Sequence, residues 1–128
     1  MPSANSARVL IVDDEENQRS ALASMLTGWG FTAETAADGL EALEKLKHFA
    51  AHVIVTDLMM PRIDGLTLAK TLKGDPNIGN IPLVMLTAKS GPMDMITGIN
   101  AGARHYVTKP FKAADLIDKV KKALVARH

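Results

Sequence analysis

Five polar residues stand out because each ends or follows a run of apolar ones. Asp13 and Asp14 close "RVLIVDD", Asp57 closes "HVIVTD", Thr87 closes "IPLVMLT" and Lys109 follows "HYVT". Carboxylates, a hydroxyl and an amine serve acid–base work, cation binding or nucleophilic attack, provided a fold brings them together. Singly, each has a plainer role. Asp13 or Asp14 can cap the helix that follows, Asp57 can form an Asx turn, and Thr87 and Lys109 can be a strand-end hydroxyl and a surface cation. Together the plain roles become strained, because three carboxylates in one cleft repel and their partial burial is costly without compensating cations. Lys109 supplies one positive charge. A hard divalent cation with oxygen ligands supplies two more, and Mg²⁺ suits one or two carboxylates completed by waters and a phosphate. Such a set points to phosphoryl transfer, in which a protein mainly positions groups and neutralises charge. One carboxylate can then act as nucleophile and become an aspartyl phosphate.

The elements that must position these residues follow from periodicity. Five short apolar runs occur at 8–12, 31–36, 52–56, 81–87 and 105–108, three of them almost continuously apolar and rich in Val and Ile. That is the pattern of parallel strands covered on both faces. Helical stripes alternate with them: Ala21, Leu22, Met25 and Leu26; then Leu40, Leu43 and Leu46; then Leu68 and Leu72; then Ile96, Ile99 and Ala103; finally Leu116, Val120 and Leu124. Asp38 with Glu41 three residues on opens the second stripe like a capping box. Gly28, Gly30, Gly74 and Gly102 fall near helix ends. The order is β-α repeated five times. It predicts a doubly wound α/β fold, a five-stranded parallel sheet with five helices on both faces. In such sheets function collects outside the carboxyl ends of the strands, where all five polar residues fall.

Composition bounds the class. A chain of 128 residues, 47% hydrophobic and 23% charged, has the balance of one soluble globular domain. With no cysteine, disulfides, thiolate catalysis and thiolate metal sites are excluded. No apolar run approaches the ~18–20 residues of a membrane span. The start "MPSANSA" lacks the regions of a signal peptide and reads as a short disordered tail over 1–7, so a cytoplasmic protein is expected. The net charge of +1 hides an asymmetry. Residues 1–64 carry 5 basic against 10 acidic side chains, and residues 65–128 carry 10 against 4. Solvated helix faces explain this; so do an acidic pocket and a separate basic partner surface. One Trp, one Tyr and no Arg cluster make a poor nucleic-acid footprint, so nucleic acid is not an expected partner.

The stretches "VLIVDDEENQR", "VIVTDLMMPRIDG", "LVMLTA" and "YVTKPF", in that order, resemble the receiver domain of bacterial two-component response regulators from Arg8 to about Ala126. Each is weak alone; four at the expected separations are specific. The resemblance implies a stand-alone receiver over residues 8–128 with a flavodoxin-like sheet of strand order 2-1-3-4-5, an order that comes from the family and not from the residue pattern. It makes Asp57 the phosphoacceptor. Asp13 and Asp14 become Mg²⁺ ligands, Asp14 the more direct, joined by the Asp57 carboxylate and the Met59 main-chain carbonyl. Thr87 would hydrogen-bond one phosphoryl oxygen and Lys109 pair with another. The Lys109–Pro110 peptide would be cis. Tyr106 would be the switch aromatic, moving inward as Thr87 is drawn to the phosphate. Met59 and Lys89 would line the approach to the phosphoryl group. Met59 offers no polar group to orient an attacking water, so a phosphorylated lifetime of minutes or longer is expected. Ile63 stands where the family often has Met.

The same resemblance implies a signalling switch that catalyses only its own phosphorylation and dephosphorylation. The donor would be a phosphohistidine on a sensor kinase or a histidine phosphotransfer protein, with acetyl phosphate as a substitute. A downstream protein would bind the surface of the fourth helix, fifth strand and fifth helix, where Arg104, Lys112, Lys119 and Lys122 suggest an acidic partner. Three other readings are weaker. A hydrolase of the haloacid-dehalogenase kind needs a second acid two residues after Asp57, and Met59 is there. A flavodoxin-like FMN carrier needs a phosphate-cradling loop after the first strand, where "DDEEN" would repel a phosphate. A receiver-shaped module that is never phosphorylated would be expected to lose the acceptor, the acidic pair or the lysine.

Overall fold

The computed structural model describes residues 7–57, 65–75, 80–87, 105–108 and 111–125. Five strands, β1 (Arg8–Val12), β2 (Thr32–Ala36), β3 (Val53–Asp57), β4 (Leu83–Thr87) and β5 (His105–Thr108), form one parallel sheet in the order β2-β1-β3-β4-β5. Helices α1 (Glu16–Gly28), α2 (Gly39–Lys45) and α3 (Gly65–Lys73) follow the first three strands, and a C-terminal helix spans Ala113–Val125. The expected helix carrying Ile96, Ile99 and Ala103 lies outside the described residues.

Strand alternation divides the core into two layers, as side chains of period two require. Val9, Ile11, Val53, Val55, Val84, Leu86 and Val107 face one side and pack with α1 and the C-terminal helix through Leu22, Leu26, Leu116, Ile117 and Val120. Leu10, Val12, Ile54, Leu83 and Met85 face the other, against Ala42 of α2 and Leu68 and Leu72 of α3. Burying both faces is what makes these runs continuously apolar. Each buried Leu, Ile or Val contributes about 1.5–3 kcal/mol.

Two helix faces differ from the expected stripes. In α1, Ala21 is exposed and Ala23 packs on the core; in α2, Leu40 is 44% exposed while Gly39 and Ala42 are buried. In α1 the core face is still carried by Leu22 and Leu26, whereas in α2 the small Gly39 and Ala42 are the buried residues and Leu43 and Leu46 pack part-buried beside them. Asp38 caps α2 as expected, accepting from the Glu41 N–H at 2.9 Å. Glu41 Oε1 reaches back to the Ala37 N–H, one residue before the cap. Ala7, placed in the tail by sequence, is buried and its carbonyl accepts from the Thr32 N–H at 2.9 Å.

At the amino end of β1, Arg8 is held from several sides. Its N–H donates to His52 Nδ1 at 2.9 Å, its Nε donates to the Ala50 carbonyl at 2.6 Å, and its carbonyl accepts from the His52 N–H at 2.8 Å. At the far end of α1, Gly30 takes φ 97°, a left-handed conformation that glycine adopts at no steric cost, and returns the chain into β2. Beside it the half-exposed Trp29 ring carries Lys121 Nζ 4.8 Å from its centroid, joining α1 to the C-terminal helix. On the edge strand β2, Glu34 forms an ion pair with Lys45 of α2 at 3.2 Å.

Candidate functional site

The chain leaves β1 for β2 on one side and returns for β3 on the other, so the sheet reverses between β1 and β3. Val12 pairs with Thr56 across that junction, which places Asp13 and Asp57 as the next residues on adjacent strands. One carboxylate oxygen from each of Asp13, Asp14 and Asp57 lies within 4.8 Å of the other two. Asp13 is 1% exposed, Asp57 is 9% exposed, and Asp14 opens the cluster to solvent.

Local hydrogen bonds explain how a carboxylate is tolerated at Asp13. Its N–H continues the sheet ladder to the Ala36 carbonyl at 3.1 Å. Oδ1 accepts from the Glu15 N–H and Oδ2 from Gln18 Nε2, each at 2.9 Å. Arg19 Nη1 donates to the Asp13 carbonyl at 2.8 Å. The positive end of the α1 dipole adds a favourable field. Neither Asp13 nor Asp14 is the helix cap: Glu15 holds that position and makes no side-chain capping bond. Gln18 and Arg19 were absent from the sequence-based candidates. The available signal was their place in the first turns of α1, five and six residues after Asp13.

The other strands deliver their candidates to the same edge. Asp57 pairs with Leu86, so Thr87 follows one step beyond it on β4; Thr87 pairs with Thr108, after which Lys109 comes next in the chain. Tyr106 pairs with Met85. Main-chain pairing fixes the places of Thr87 and Tyr106 in the sheet. Met59, Lys89, Arg104, Lys109 and Pro110 lie outside the described residues.

The donor set fits a hard divalent cation: the three clustered side chains offer oxygen alone, one is open to water, and the two buried ones concentrate negative charge. Asp13, Asp14 and Asp57 would hold such an ion.

Comparison with known proteins agrees with the geometry. Residues 9–121 match the response regulator receiver domain model. The DNA-binding response regulator MtrA of Mycolicibacterium smegmatis is 35% identical over 117 residues, which is 91% of this chain and 50% of that protein. The chain thus spans about half the length of the curated relatives it matches, and DNA binding belongs to the name of those longer proteins. Chemotaxis protein CheY4 of Vibrio cholerae superposes with a TM-score of 0.88 at 33% identity, covering 93% of this chain and 99% of that one. The receiver domain of a sensor histidine kinase from Pseudomonas aeruginosa PAO1, solved with a magnesium ion coordinated in its active-site cleft, gives a TM-score of 0.85 at 25% identity and covers 94% of this chain and 98% of that one. The chain belongs to the response regulator receiver domain family, whose members serve two-component signalling.

Proposed function

We propose that this domain is a phosphorylation-activated switch whose acceptor is Asp57. The observation that carries the reading is the convergence of three carboxylates at the sheet's reversal point, two of them almost fully buried. A nucleophile must be reachable yet held, and Asp57 at the last position of a fully buried strand meets both demands. Its carboxylate oxygen attacks phosphorus; the new O–P bond forms as the P–N bond to a donor phosphohistidine breaks, and that bond's electron pair stays on the donor imidazole. Asp13, Asp14 and Asp57, with the Met59 carbonyl, would hold Mg²⁺, which would supply charge neutralisation at the phosphoryl oxygens. Lys109 pairs with one of these oxygens and Thr87 donates to another. Tyr106 follows Thr87, and the state it stabilises must bind the target differently for any signal to pass.

The protein is a switch and not an enzyme acting on other substrates; it catalyses only its own phosphoryl transfer and release. It works in the cytoplasm with a sensor kinase or phosphotransfer protein as donor. The downstream protein carries an acidic surface, which Lys112, Lys119 and Lys122 around the C-terminal helix would meet. Among the described residues no helix is long and apolar enough to cross a membrane.

Incubation with acetyl phosphate tests the reading. Wild type gains one phosphoryl group by intact mass only when MgCl₂ is present, and Asp57→Asn gains none; equal labelling of both proteins rejects Asp57 as acceptor. Met59→Asn shortens the phosphorylated lifetime, measured by the decay of the labelled species.

A further inference from the structure

We propose that Gln18 is a positioning residue for the Asp13 carboxylate, acting on cation binding without touching the cation. The proposal rests on the reading of the acidic cluster as the divalent-cation site. Rotation about the last torsion of an aspartate is soft, so packing of its Cβ does not fix the plane of its oxygens. Donors on both oxygens restrain it here: the Glu15 main-chain N–H on Oδ1 and Gln18 Nε2 on Oδ2, both at 2.9 Å. The first comes with the backbone of the β1–α1 connection and survives any side-chain substitution. The second depends on one side chain.

Without the Gln18 amide, Oδ2 loses this donor and the plane of the carboxylate is less firmly set. With Gln18 present, each oxygen accepts a hydrogen bond, and a carboxylate's about four lone-pair sites exceed these two bonds. Gln18 is itself restrained, partly buried and lining a small hollow with Ala21, Leu22, Met25 and Phe111. Its neighbour Arg19 holds the Asp13 main chain through the carbonyl, so consecutive residues of α1 secure both parts of the aspartate.

The chemistry of the amide matters as much as its reach. A lysine at this place would also donate, but its charge would neutralise Asp13 and repel a divalent ion. A neutral amide orients the ligand without competing for it. Partners of metal ligands in this role typically affect affinity by about 10–100-fold.

The test is a calorimetric titration of the full chain with MgCl₂, with thermal melts in EDTA confirming that each variant folds. Gln18→Met, which keeps length and apolar packing but no donor, weakens Mg²⁺ binding by about tenfold or more. Gln18→Asn, which keeps the amide but shortens its reach, shows a loss of the same order. Gln18→Met lowers Mg²⁺ affinity without changing the number of ions bound per chain, whereas a merely structural role of Gln18 would shift the melt in EDTA and leave the affinity of the folded protein unchanged. Unchanged or tighter binding by Gln18→Met overturns the proposal while leaving the cation site intact. Failure of wild type to bind Mg²⁺ removes the site itself, and the proposal with it.

Discussion

The two ends of β1 solve opposite problems. At the amino end, Arg8 is met by a histidine nitrogen and two backbone partners, and its polar groups serve only cohesion. At the carboxyl end, Asp13 is equally well bonded but stands within 4.8 Å of two further carboxylates, so hydrogen bonding does not relieve the repulsion. The difference teaches where this small domain places its stability and where it forgoes it. The crowded acidic edge is set against an opposite end of the same strand, five residues away, where the charged Arg8 is part-buried and hydrogen-bonded.

The contrast breaks most visibly on adding a cation. At a MgCl₂ concentration a hundredfold above the dissociation constant, unfolding free energy rises by about 2.7 kcal/mol, a shift read in urea titrations. Asp13→Ala and Asp57→Ala lose most of this gain. A smaller effect is expected at the closed end. His52→Phe leaves the part-buried Arg8 N–H without its acceptor and lowers stability by about 1–3 kcal/mol, while labelling by acetyl phosphate proceeds at the wild-type rate. If labelling fell in parallel, the two ends would not be separable.

Removing one of the crowded charges works in the opposite sense. Asp57→Asn in EDTA should be more stable than wild type by about 1 kcal/mol, the size of a screened repulsion over this distance, and should melt about 4 °C higher. The smallest effect lies on the edge strand, away from both ends. The Thr35 N–H, and secondarily Lys45, hold the Glu34 carboxyl below its usual value of 4.5 against an opposing effect of burial. A depressed carboxyl stabilises the fold above its unfolded value and loses that contribution as pH falls through the folded one. Because the side chain is 44% exposed, solvent screening limits the effect to a few tenths of a kcal/mol. Glu34→Gln should therefore trail wild type near neutral pH and converge with it as pH falls below the carboxyl's ordinary value of 4.5.

The strands were legible because parallel strands buried on both faces leave an unbroken apolar run: residues 8–12 and 105–108 match their strands at both ends. Asp57 belongs to its strand, which extends one residue past the apolar run, since backbone pairing with Leu86 does not depend on side-chain polarity. Helix faces were less legible. Leu40 looked like core and Ala42 did not, yet Gly39 and Ala42 are the buried residues of α2 and Leu40 is left exposed. The acidic cluster was readable as three strand-end acids. The support around Asp13 was not: Gln18 looks like any polar residue on an amphipathic helix, and its value depends on a carboxylate five residues away in sequence whose orientation no periodicity reveals.

Trp29, the protein's single tryptophan, offers a use of its own. It stands at the far end of α1 from the acidic cluster, a helix of 13 residues or about 20 Å. Its emission therefore reports on the seam it shares with Lys121, not on the cleft. A fluorescence change on phosphorylation would be an optical measure of mechanical transmission along one helix, obtainable with no label added to the protein.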